Sequence, residues 1–131
     1  MVKRKVATTQ APAAIGPYSQ AVFVGDMLFA SGMIPLDPKS GEVCGKNIKE
    51  QTEQVFKNIK GLLDSCKLDV SYIVKTTVFL KNMGDFAEMN EVYKKAFEGC
   101  EILPARSAVE VGALPKGVLV EIEFVAALLN E

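Results

Sequence analysis

Two stretches of this chain repeat their apolar residues with a helical period, whereas about six read as strands. This imbalance constrains the fold more than any other feature. The run "VKRKVA" at 2–7 is a short strand candidate, followed by the Pro/Gly-punctuated loop "TTQAPAAIGPYSQ". "AVFVGDMLFAS" holds two β-prone runs around Gly25-Asp26, which is a hairpin signal. Pro35, Pro38 and Gly41 keep "GMIPLDPKSGEVCGK" in loop.

"NIKEQTEQVFKNIKGLLDSC" is the clearest helix. Asn47 and Glu50 have capping-box spacing, and Val55, Phe56, Ile59, Leu62, Leu63 and Cys66 form one apolar stripe. Glu53 and Lys57 are spaced for a favourable pair on its solvent side. "SYIVKTTVFLK" is apolar on both faces and reads as a central strand. "DFAEMNEVYKKAF" is a second helix, opened by Asp85 with Glu88 three residues on. Its stripe is Phe86, Met89, Tyr93 and Phe97, with Asn90 on the same side. "ARSAVEV" and "VLVEIEFVA", joined by "GALPKG", are the last two strands.

The order β-β-β-α-β-α-β-β is that of an α+β domain. Two helices for about six strands must both cover one face of the sheet. The other face keeps apolar side chains with nothing in the chain to cover them, and association through that face is the expected solution. Nothing in residues 1–131 suggests a linker, so one domain is expected.

Composition removes several chemistries. The chain has no histidine, which excludes Ser-His and Cys-His nucleophile pairs and histidine acid/base catalysis. Cys44, Cys66 and Cys100 form no C-x-x-C pair, so no metal site is expected and the thiols read as reduced. With 15 basic and 16 acidic residues the net charge is -1, and the one basic run, Lys3-Arg4-Lys5, is too short to track a phosphate backbone. No nucleic-acid partner is expected. No apolar run is long enough for a membrane span, and the basic N-terminus lacks the apolar stretch of a secretory signal. A cytoplasmic location is the simplest expectation.

What remains is an arginine where a strand is otherwise small or apolar. In "LPARSAVEV", Arg106, Ala108 and Glu110 share one face, and in the last strand Glu121 and Glu123 share a face. If the two strands form an antiparallel hairpin, Arg106 lies on the same face as at least one of these glutamates. Two readings stay open: a cross-strand ion pair, or a guanidinium fork kept for the carboxylate of a ligand. Asn90 is either an amide at the edge of its helical stripe or one aimed into a cleft. Tyr18, after Gly16-Pro17, reads as a packed aromatic with a hydrogen-bonded hydroxyl. Ser31-Gly32 is either plain loop entry or a place where the glycine lets a ligand approach the backbone closely.

Five blocks, "AIGPYSQA" (14–21), "LFASGMIP" (28–35), "VFLKNMGDFAEMNEVYKKAF" (78–97), "PARSAVEV" (104–111) and "LPKGVLVEIEFVA" (114–126), together resemble the reactive intermediate deaminase (RidA, YjgF) family over nearly the whole chain. The resemblance implies a chorismate-mutase-like fold, a six-stranded mixed sheet with two helices on one face, assembled as a homotrimer with clefts between subunits. It implies hydrolysis of small 2-imino acids to 2-keto acids and ammonia, with no metal or cofactor. Arg106 matches the family residue that holds the substrate carboxylate, and Glu121 the one beside the attacking water. Tyr18, Ser31, Gly32 and Asn90 match cleft positions, with Tyr18 supplied by the neighbouring subunit. Deaminase members commonly carry cysteine where this chain has Ala108, leaving only the backbone there to meet substrate. That difference keeps open a second reading, a trimer that binds small carboxylates without turning them over. The older family labels, ribonuclease and translation inhibitor, find no support in the charge pattern.

Overall fold

The computed structural model describes residues 2–128. Strands β1 (Lys3–Val6), β2 (Ala21–Val24) and β3 (Met27–Met33) precede helix α1 (Ile48–Ser65). Strand β4 (Ile73–Leu80), helix α2 (Phe86–Ala96), β5 (Ala105–Glu110) and β6 (Val120–Ala127) follow. The expected element order is therefore present. The strands form one sheet in the order β1-β2-β3-β6-β4-β5, antiparallel throughout except for the parallel pair β4/β5.

The local signals explain most elements. Val24 pairs with Met27 across Gly25-Asp26, and Gly25 has φ 55°, a left-handed value that glycine takes without strain. Asn47 caps α1, its side chain accepting a hydrogen bond from Glu50 N at 2.9 Å. The reciprocal half of the box is displaced by one residue, because Glu50 Oε1 accepts from Lys46 N. Asp85 precedes α2 but its side chain makes no capping bond. The expected Glu53–Lys57 pair does not form; among the described residues the ion pair is Lys60–Asp64, two turns further along the same helix.

The core lies between the helices and one face of the sheet. From α1, Val55, Ile59, Leu62 and Leu63 are fully buried, and α2 contributes Met89, Val92 and Tyr93. Leu28, Val78, Leu80, Ile122, Phe124 and Ala126 meet them from the strands. The opposite sheet face carries Phe29, Val109, Val22, Phe79 and Val125, with Glu121 and Glu123 among them. Phe29 is 48% exposed and Val109 42%, so this face is uncovered within the chain.

One expectation fails. Strands β5 and β6 form no hairpin, because β4 lies between them and pairs with both. Arg106 is level with Thr76 and Phe124, whereas Glu121 is level with Phe79 and Val109. Paired residues share a face and neighbours along a strand alternate, so Arg106 is on the helix side and both glutamates are on the uncovered side. The connection Val111–Leu119 is long enough to step across one strand, and α2 supplies the crossover that a parallel β4/β5 pair requires.

The two caps give a contrast measurable by urea unfolding at fixed protein concentration. Asn47→Ala removes a bonded cap and is expected to cost about 1 kcal/mol. Asp85→Ala removes no capping bond and should cost clearly less.

Candidate active site

Arg106 leaves β5 toward α2, which meets it with Phe86, Asn90 and Tyr93, residues one and two turns apart on one helix face. Asn90 Oδ1 accepts from Arg106 Nη1 at 2.6 Å. The guanidinium carbon lies 4.6 Å from the Tyr93 ring centre and 5.3 Å from that of Phe86. Such stacking contributes about 0.5–1 kcal/mol where solvent is near. Tyr93 is itself fixed, its hydroxyl 2.7 Å from Thr76 Oγ1 and its ring packed against Phe56 and Phe97. Burial pushes the Tyr93 phenol up, opposed by the Thr76 hydrogen bond and the Arg106 charge.

No carboxylate among the described residues pairs with Arg106. The ion-pair reading, with Glu121 or Glu123 as partner, is therefore not realised within the chain. The arginine is oriented by an amide and two rings while its charge stays uncompensated. Ala108 follows on the same face, level with Val78, and its methyl packs against the core.

A second group lies elsewhere. Tyr18, Ser31, Gly32 and Glu121 share a cleft of about 750 Å³ whose walls are largely apolar, with Met33, Ile34, Leu36 and Pro115 among them. Ser31 Oγ donates to Ser19 O at 2.7 Å, and Ser31 N donates to Gln20 O at 3.0 Å. Ser31 thereby ties β3 to the loop that carries Tyr18. Glu121 is half-buried, and no protein donor among the described residues reaches its carboxylate. Burial first, and the Glu123 carboxylate second, raise its pKa above the ordinary glutamate value.

Three buried amides shape the cleft from behind. Gln20 accepts from Thr8 N and donates to the carbonyls of Thr8, Ala11 and Pro12, fixing the segment that leads to the cleft wall. Asn58 of α1 donates to Ile34 O and Leu36 O at 3.1 and 2.9 Å. Gln51 accepts from Leu119 N at 2.8 Å, immediately before β6 and Glu121. None of these emerged from the sequence as a site residue. Their signal was present, because Gln51, Gln54 and Asn58 line up as an amide stripe beside the apolar stripe of α1. Phe86 and Tyr93 were assigned to the core alone, yet they also form the arginine's platform.

The seven candidates thus fall into two groups: Arg106, Asn90 and Ala108 at one sheet edge, and Tyr18, Ser31, Gly32 and Glu121 in the cleft. One chain does not bring the groups together, since Arg106 and Glu121 lie on opposite faces of the sheet.

Comparison with known proteins adds the following. Residues 8–128 match the family model described as Endoribonuclease L-PSP. A RutC family protein of Pyrococcus horikoshii is 51% identical over 95% of this chain and 98% of its own. The mouse protein named 2-iminobutanoate/2-iminopropanoate deaminase is 46% identical over 96% of this chain and 92% of its own. Among solved structures, a protein of unknown function of the Rid family from Yersinia pestis superposes with TM-score 0.93 at 46% identity, covering 97% of this chain and 100% of its own. Escherichia coli TdcF with bound serine gives TM-score 0.90 at 41% identity, covering 96% and 99%. A family match over nearly all of its length, relatives near half identity and the same six-stranded sheet place this chain in the RidA (YjgF) family.

Proposed function

We propose that the protein hydrolyses small 2-imino acids to 2-keto acids and ammonia, at sites where Arg106 of one copy faces the cleft of the next. The observation that carries this reading is the uncompensated charge of Arg106. A guanidinium fixed by Asn90, Tyr93 and Phe86 without a carboxylate partner is prepared for a carboxylate from outside. The names of the mouse and rat relatives, both 2-iminobutanoate/2-iminopropanoate deaminase, support the choice of substrate class.

The chemistry requires little of the protein. A protonated imine carbon is already electrophilic, so orientation and one proton acceptor suffice. Arg106 would hold the substrate carboxylate bidentately. Glu121 takes a proton from water as its oxygen bonds to the imine carbon, giving a carbinolamine. The proton then passes to the amine nitrogen, the C–N bond breaks and ammonia leaves, while the Glu121 carboxylate takes the hydroxyl proton as the carbonyl forms. Glu121 suits these transfers, because a carboxylate of raised pKa holds a proton more readily than an ordinary one. The apolar cleft walls strengthen its attraction for the iminium.

Two copies are required because of the facing of the residues. A head-to-tail ring, of which a trimer is the family example, would set the Arg106 edge of each copy against the Glu121 cleft of its neighbour. The uncovered sheet face supplies the apolar surface for such an assembly. The carboxylate-binding trimer remains the second reading, favoured by the alanine at 108.

The first test couples a dehydratase that releases 2-iminobutyrate to this protein and follows keto-acid formation against a semicarbazide trap. Arg106→Ala should abolish the acceleration, and Arg106→Lys should lower kcat/KM by about 10²-fold, mostly through KM, since a lysine cannot reproduce the fork. Ligand retention at Arg106 with no acceleration in the unaltered protein would select the binding reading.

The ratio of catalysed to spontaneous hydrolysis should fall as pH drops through the Glu121 titration. Its midpoint lies above that of an ordinary glutamate because the raised pKa keeps the acid protonated to higher pH. Glu121→Gln should remove this limb and most of the rate. Folding linkage has the opposite sense: ionising a carboxyl whose pKa is raised on folding costs stability, so Glu121→Gln should be no less stable than the parent at neutral pH.

Mixing tests the shared site directly. Arg106→Ala and Glu121→Gln protomers, co-refolded one to one into rings, should recover roughly a quarter of the parental sites, the chance that an intact arginine faces an intact glutamate. A site lying within one chain would recover none.

A further inference from the structure

We propose that Gly32 is a positioning residue whose absent side chain provides the space in which the Glu121 carboxylate stands. This rests on the reading of Glu121 as the proton acceptor and goes beyond close backbone approach to a ligand. Along β3 and β6, Ala30 pairs with Phe124 and the next pair is Met33 with Ile122. Three steps on β3 therefore match two on β6, which is a bulge at Ser31-Gly32. Ala30 and Met33 keep their side chains toward the core, and the extra residue is taken up where Glu121 crosses the strand. A Cβ built on Gly32 would overlap Glu121 Oε2 and come within 2.7 Å of its Cδ and 2.9 Å of its Cγ. The outer half of the glutamate lies where any side chain at 32 would begin.

Backbone conformation does not require the glycine. Gly32 is absent from the positive-φ residues, which include Gly25, Gly41 and Gly45. An alanine would fit the strand, where glycine otherwise costs about 0.5–1 kcal/mol relative to it. The constraint at 32 is therefore space alone, imposed by one side chain. Glu121 is held by this seat and by no hydrogen bond among the described residues, so the seat decides where its oxygens point. The charged groups around it are Glu123 on β6, Lys75 on the same sheet face, and Lys39 and Lys116 along the cleft.

Gly32→Ala tests this with two independent readouts. In carbon-detected NMR titration of the glutamate side chains, the Glu121 midpoint should move toward the ordinary value, because a displaced carboxylate swings into water. In the coupled assay kcat should fall about tenfold or more with KM nearly unchanged, and the melting temperature should be retained. If the variant fails to fold, adding Glu121→Ala should restore folding by removing the overlapping atoms. An unmoved Glu121 midpoint, a retained kcat, or a folding defect that Glu121→Ala does not repair would each overturn the proposal. Absence of deaminase activity in the parent would count against the proposed reaction only, leaving the titration to decide whether Gly32 seats Glu121.

Discussion

Side chains alternate across a strand, so residues paired with one strand inherit their facing from it. Strand β4 pairs with both β5 and β6, setting Thr76 level with Arg106 and Phe79 level with Glu121. Thr76 and Phe79 are three positions apart, an odd number, and the two chemically useful residues emerge on opposite sides of the sheet. No side-chain rotation corrects this, because the sheet lies between them. The placement of each group and the division of the candidate residues into two clusters follow from that register, and the proposed reaction would need a second copy for the same reason.

Each cluster then solves a different electrostatic problem. At the β5 edge the proposed reaction needs a permanent cation held still without being neutralised, because an internal carboxylate would compete with the proposed ligand. Neutral contacts achieve this: an amide oxygen accepts from the fork, and two ring faces support its plane. The support extends inward through Tyr93 to Thr76, buried in the sheet. In the cleft the proposed reaction needs a carboxylate that stays basic and free, and Glu121 is partly desolvated, has no donor among the described residues and lies near a second carboxylate. Exchanging these environments would spoil both, since an arginine with a carboxylate partner is already occupied and a well-solvated glutamate has an ordinary affinity for protons.

Period and punctuation made much of this legible. Both helices, their buried stripes, the Gly25-Asp26 hairpin and the capping role of Asn47 were readable because each depends on residues within one or two turns. The alternation within β5 and within β6 was also correct. Pairing between the two strands was not, because a nine-residue connection between successive strands is compatible with a hairpin or with a step over a neighbour. The more informative segment was α2: a helix between two strands favours a parallel crossover, which makes β4 and β5 neighbours and displaces β6. The buried amides of Gln20, Gln51 and Asn58 were missed for another reason. Their partners are loop carbonyls distant in sequence, and no local pattern announces such bonds.

Ala108 bears on how much the proposed chemistry depends on a thiol. The residue is level with Val78 on the helix-bearing face, where its methyl joins the core. β5 is the edge of the sheet, so alternate residues turn N–H and C=O groups outward instead of bonding them to a strand. Those groups stand beside Arg106 whatever side chain occupies 108, and they are fixed by the parallel pairing to β4. In the proposed reaction, recognition of a carboxylate and its neighbouring atoms would therefore rest on the arginine fork and the strand edge, and proton transfer on Glu121 of a second copy. A thiol at 108 would tune this arrangement without being required by it, because neither the electrophile nor the proton acceptor lies in that side chain.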